Sequence, residues 1–298
     1  MVLEDLIPVR TAERKPYEML PIAFIYATVS LFVAQWIFPS QAAIVAVFMT
    51  TIACLPLMIN IVGFEKEKLE HHKDYLRDVI YSLFGRAHPE RAEPEERVLP
   101  FFIFMFLGLT IAIIIWFVVL PKDTAQNLFY VQLNTIRDIN TGIQGGTTAS
   151  LFFAKILLNN VKVLAFSVLF SLIYGAGAIF VLVWNASVIG VAIGDTMRTA
   201  FVKAATAAGS ATIGVTSYST AVSASIFRYM IHGIPEILAY FIGALAGGLI
   251  SVAVVRHEWN SEKFEETTYD ALGLVVIAIL VLILAAILEV AVSPLVTV

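Results

Sequence analysis

The chain has 298 residues, of which 59% are apolar and only 14% charged; its mean hydropathy is +0.86 and its formal net charge is −4. Soluble domains carry about 45–50% apolar and about 25% charged residues, so a water-soluble globule of this size is excluded. The small net charge gives no reason to expect a nucleic-acid partner. What remains is an all-α polytopic helix bundle whose solvent is the lipid bilayer.

Residues 1–19 mix acids and bases without the basic, apolar, small order of a signal peptide and read as a retained polar tail. Residues 20–63 read as a transmembrane hairpin: one span from Leu20 to Phe38, a turn at Pro39, Ser40 and Gln41, and a second span from Ala42 to Gly63. The lone cysteine, Cys54, lies in an apolar run, has no partner for an intramolecular disulfide and reads as a small hydrophobe. Residues 64–98 are charged, yet Leu69, Leu76, Ile80, Leu83 and Phe84 recur at helical spacing. They predict a cytoplasmic amphipathic helix, stopped near Gly85 and followed by a proline-marked linker, lying on the membrane or on a protein partner. His71 and His72 are adjacent and so point to different sides of that helix, which fits a solvated charged face rather than a metal site.

A third span runs over 99–120 and a polar extracytoplasmic connection over 121–150. The remainder, 151–298, forms the rest of the membrane core. The stretch from Leu151 to Gly194 is too long for one ordinary span. Lys155, Asn159 and Lys162 form a stripe suited to an interfacial helix with outward-reaching lysines, and Gly175 and Gly177 interrupt the middle. The reading is one broken span; a two-span hairpin turning at YGAG (174–177) is the alternative. The total is about six spans, or about seven with that hairpin. Residues 205–225 are small and hydroxyl-rich and read as a surface loop with a short interfacial helix, or else as a re-entrant lining of a wet cavity. Two further spans follow, about 234–255 and 271–288. Lys and Arg cluster in the tail and in 64–98 but are sparse in 121–150. That places the N-terminus in the cytoplasm of a multi-pass protein of the cell membrane.

Ionisable and amide side chains inside such spans normally face protein or a water-filled cavity. The candidates for an intramembrane polar site are Asn159, Asn160, Asn185, His232 and Glu236, with Asp195 and Arg228 in the same half of the chain. Pro235 is suited to a first helical position and disfavours helix at Ile234, so the fifth span is expected to start there, with Gly233 in the turn and Glu236 in the first helical turn. On a helical wheel Glu236, Tyr240, Gly243 and Gly247 fall within about 60°. A carboxylate on the face of a GxxxG pair points into a bundle, and the glycines would let another helix approach closely, including one from a second copy. Gly175, Gly177 and Gly190 offer further helix breaks or close-packing points. Breaks free backbone groups that build ion and solute sites in transporters. No HExxH, GxSxG or P-loop motif occurs, so no enzyme, cofactor or metal is expected.

The ordered set ILLNN (156–160), YGAG (174–177), WNASVIGVAIG (184–194), HGIPE (232–236) and FIGALAGG (241–248) resembles the stage II sporulation protein M family over about residues 150–290. The front part, with VLEDLIPVRTAERKPYEML and the hairpin after it, resembles the longer archaeal members, which implies an N-terminal three-span extension. Ala186 stands where family members usually carry glycine after the asparagine. The resemblance implies a non-enzymatic membrane protein, and in the named member a scaffold for wall-degrading enzymes. Two functions of different class therefore stand at this point. One is a polar site at helix breaks for passage or binding of an ion or small polar solute. The other is a scaffold recruiting partners through 64–98.

Overall fold

The structure is a computed structural model, described over residues 16–69, 98–143, 149–174, 178–207, 215–255 and 261–292. Among these residues the chain forms a 3₁₀ turn, Pro16–Glu18, and nine α-helices. They are α1 (Met19–Ile37), α2 (Ala42–Leu69), α3 (Val98–Val119), α4 (Lys122–Leu128), α5 (Tyr130–Ile143), α6 (Ala149–Tyr174), α7 (Ala178–Ala207), α8 (Val215–Val255) and α9 (Glu262–Val292). Strands are absent among the described residues. Six helical stretches are long and apolar enough to cross a bilayer: Pro16–Ile37, Pro100–Val119, Ser150–Leu172, Ile179–Val202, Gly233–Ser251 and Phe264–Ala291. Within α2 the apolar stretch Ala42–Leu57 is shorter. The chain is an all-α, multi-pass membrane protein. The predicted amphipathic helix falls almost wholly on 70–97, outside the described residues; residues 64–69 continue α2.

Prolines set two of the corners. Phe38 leaves the helical region (φ −129°, ψ 58°) before Pro39, as a residue preceding proline tends to do, and its N–H still bonds Ala34 O at 2.8 Å. At the end of α3 the Leu120 N–H still bonds Trp116 O at 3.1 Å, and Pro121 is extended (φ −51°, ψ 146°).

The helices fall into two groups. In the first, α1, α2, α3 and α7 share a core built on Ala27, Met105, Leu109, Leu182 and Ala186. Contacts rise together along α1 and α3: a Cβ on Gly108 would strike the Leu20 carbonyl, and Trp116 Nε1 donates to Thr28 Oγ1 at 3.0 Å. These two helices are therefore parallel. Likewise Gly190 abuts Ile113 and Gly194 abuts Phe117, so α7 is parallel to α3. Helix α2 runs the other way. Its start, Ala42 and Ala46, packs with Leu31, Ala34 and Phe117, whereas Cys54 and Leu57 pack with Met19 and Phe101.

The second group is α6, α8 and α9, with Leu164, Tyr240, Ile242, Leu274 and Leu282 among its buried residues. The groups meet through α7 and α8; Phe102 stacks on Phe241 with ring centroids 4.6 Å apart.

Three expectations need correction. The stretch 151–194 is not an interfacial helix feeding one broken span but two separate helices, α6 and α7, each long enough to cross. The hairpin alternative holds, because the 23-residue, mainly apolar stretch from Ser150 already reaches across hydrocarbon about 30 Å thick. The hydroxyl-rich stretch does not hold the short helix expected: 205–207 end α7 and 215–225 begin the 41-residue α8, while 208–214 lie outside the described residues. The 121–150 connection holds two helices, α4 and α5. Their buried Ala125, Leu128, Phe129 and Leu133 recur at helical spacing and pack under the last turns of α1 and α3 and the first turns of α2.

Candidate functional site: a buried amide–carboxylate cluster between α6 and α8

Helices α6 and α8 run parallel in a fixed register. Asn160 meets Glu236, Leu164 meets Gly243, and Val168 meets Gly247. The glycines make this possible. A Cβ on Gly243 would overlap Leu164 Cδ1, and one on Gly247 would overlap the Val168 carbonyl oxygen. With no side chain there, the backbones close up and Ser171 Oγ donates to the Ala244 carbonyl at 2.6 Å. The GxxxG face that the sequence offers to a second copy is thus occupied by α6 of the same chain.

At one end of this seam lies the polar cluster. Asn160 is buried, and its Nδ2 donates to Glu236 Oε1 at 2.5 Å. The Tyr240 hydroxyl, one helical turn on from Glu236, donates to Asn160 Oδ1 at 3.1 Å. The amide thus uses a donor and its acceptor at once and ties carboxylate and phenol into one chain of hydrogen bonds. Helix α9 supplies a further carboxylate: the charge of Glu289 acts on both Glu236 and Tyr240. Among the described residues no group of three or more His, Cys, Asp or Glu is placed to hold a metal ion.

The depth of the cluster follows from the helices that carry it. Asn160 lies about halfway along the apolar stretch Ser150–Leu172. Pro235 does not start a helix; it lies inside α8, which begins twenty residues earlier at Val215. Ile234 and Gly233 are helical too, against expectation. A proline inside a helix leaves a carbonyl of the preceding turn without its N–H, which costs about 3 kcal/mol or more in water. Membrane helices tolerate that where neighbouring helices or local adjustment meet the freed group. Glu236 is therefore no carboxylate resting at a helix N-terminus. A Cβ on Gly233 would sit 3.5 Å from Ile189 Cδ1, so the level of the cluster on α7 is well inside the apolar stretch Ile179–Val202.

The remaining sequence candidates part company with this pair. Asn159, next to Asn160, faces outward with Lys155 and Lys162 on the exposed side of α6. The asparagine pair sits in mid-helix, so a step of about 100° sends the two side chains to different faces. Asn185 donates to the Val181 carbonyl at 2.8 Å, one turn back on its own helix, and serves α7 rather than the cluster. Gly190 is no helix break; a Cβ there would press into Ile113, so it packs α7 on α3. Gly175 and Gly177 lie outside the described residues, as does the side chain of His232. Sequence reasoning missed Tyr240 and Glu289 as site members. Tyr240 had a signal, since it shares the Glu236 face; Glu289 had none, because only the fold of α9 against α8 brings it near.

The family model for stage II sporulation protein M matches residues 101–294. The chain belongs to the stage II sporulation protein M family. Neither a curated protein nor a solved structure matches it. The family match begins at the start of α3 and ends just beyond α9, so it takes in both halves of the seam, the plate formed by α4 and α5, and the whole cluster of Asn160, Glu236, Tyr240 and Glu289. Ala186, inside the matched range, is fully buried in mid-helix in the core of the first helix group.

Proposed function

We propose that this protein is a non-enzymatic membrane protein that binds a small cation or a proton at the Asn160–Glu236–Tyr240 cluster and passes it across the bilayer. The observation that carries this reading is the Asn160–Glu236 hydrogen bond between two parallel helices, made halfway along the apolar stretch Ser150–Leu172 of α6 and in the first turn of the apolar stretch Gly233–Ser251 of α8. An ionised carboxylate in a low-dielectric interior is costly unless paired. Here its described partners are an amide and, through that amide, a phenol, both neutral, while the carboxyl group of Glu289 lies near enough to act on it. One amide bond orients Glu236 without balancing it. A cation or a proton supplies the balance, and the second carboxylate favours positive over negative or neutral solutes.

The test is flux. Protein reconstituted in liposomes is expected to move a monovalent cation or protons, read by a fluorescent indicator. Glu236→Gln keeps the acceptor for Asn160 but removes the charge, and is expected to lower flux at least tenfold. Asn160→Ala is expected to lower it too, by releasing the carboxylate from its position. Folded wild-type protein that moves neither protons, Na⁺ nor K⁺ would sink the reading. The scaffold function, acting through 64–98, would then be the one to pursue.

A further inference from the structure

A second polar feature lies in the first helix group, away from the cluster. A cavity of ≈ 20 Å³ sits between α1, α2, α3, α5 and α7, and its lining includes Thr50, Gln132 and Ser187 among apolar side chains. Gln132 reaches it from α5 and is 2% exposed. Its Nε2 donates to Ser187 Oγ at 3.3 Å, but its Oε1 is buried with no hydrogen-bond partner. The two hydroxyls cannot fill that need. Ser187 Oγ donates to the Trp184 carbonyl at 2.7 Å and Thr50 Oγ1 to the Ala46 carbonyl at 2.7 Å. Each hydroxyl proton is already spent, so the cavity presents oxygen lone pairs and lacks a donor.

We infer that this cavity is the binding site of one internal water molecule, held by Gln132 Oε1 and by a hydroxyl oxygen of Thr50 or Ser187. The occupant must donate hydrogen bonds, which a hydrocarbon chain cannot do. It must also be neutral, because no lining residue carries a charge to balance a cation. It must be small: a water needs about 10–15 Å³ on this measure. Buried waters occur where several polar groups would otherwise be unpaired. This one bridges α5 to the membrane helix α2 or α7, so it helps to attach α4 and α5 to the bundle. The inference is independent of the proposed ion site.

The experiment is a structure of the full chain in lipid nanodiscs at a resolution that shows ordered waters, for the wild type and for Gln132→Leu. The expected result is a single density peak within hydrogen-bonding distance of Gln132 Oε1 and of Thr50 or Ser187, missing in the variant. An empty cavity, an acyl or detergent chain in it, a Gln132 amide turned onto a protein donor, or a peak that persists in Gln132→Leu overturns the inference. Should the variant not fold, a water-to-amide nuclear Overhauser effect at the Gln132 side chain of the wild type decides: its presence supports the site and its absence refutes it.

Discussion

Glu236 and Gly247 show how single residues on one face of α8 act at its seam with α6. Glu236 is useful because Asn160 turns its carboxylate in a fixed direction. Gly247 is useful because it has nothing to turn. A methyl group at 247 would meet the Val168 backbone carbonyl, which cannot rotate away as a side-chain end can. We expect Gly247→Ala to destabilise the protein by about 1–3 kcal/mol, seen as a lower midpoint of thermal unfolding in detergent. Gly243→Ala meets the flexible end of Leu164 and should cost less. Equal effects at both positions would mean that the seam is not as tight as drawn. Much of this could be read from sequence: Glu236, Tyr240, Gly243 and Gly247 share a helical face whatever the helix packs against. That the facing residues are Asn160, Leu164 and Val168 could not be, since two helices of similar composition offer many registers.

Among the elements, α6 carries the sharpest conflict between local sequence and surroundings. Its inward face holds Asn160, Ser167 and Ser171, all buried, while its outward face holds Lys155, Asn159 and Lys162. A lysine near the middle of a span costs about 2.5–3.5 kcal/mol on insertion scales, less where the side chain reaches the interface. Lys162 lies deeper along Ser150–Leu172 than Lys155. Lys162→Leu is therefore expected to make insertion of this segment more favourable by about 2 kcal/mol, measured with a glycosylation reporter on the isolated span. No gain would show that the lysine already reaches polar surroundings at no cost. The two short helices α4 and α5 make a complementary point. Their composition reads as a polar connection, but Phe129, 1% exposed and with its ring centroid 5.6 Å from that of Phe117, anchors them to the bundle. The spacing of Ala125, Leu128, Phe129 and Leu133 held that information, hidden beneath the polar residues between them.

For the whole molecule, the directions of the helices fix the number of crossings. Helices α1 and α3 are parallel, so α2 must return the chain between them, although its apolar stretch alone is short. Helix α7 is parallel to α3, and α6 to α8. The six candidate spans lie on α1, α3, α6, α7, α8 and α9; counting the return through α2 makes seven. We therefore expect the two ends of the chain on opposite sides of the membrane. With the Lys and Arg excess of 64–98 held in the cytoplasm, a reporter at the N-terminus should be cytoplasmic and one at the C-terminus extracytoplasmic. Finding both on one side would remove one crossing and with it the parallel pairing of α1 and α3.

The sequence by itself determined the solvent, the helical class, most of the apolar stretches and the face that carries Glu236, because each follows from composition or from a period of 3.6 residues along a single segment. It also carried the family, through short motifs in a fixed order. The tertiary structure alone decided which asparagine of the pair turns inward, that Pro235 lies inside a helix, that the glycine face is used within the chain, and that Glu289 stands near Glu236. These are relations between segments far apart in the chain, and they depend on how helices pair, which no local propensity encodes.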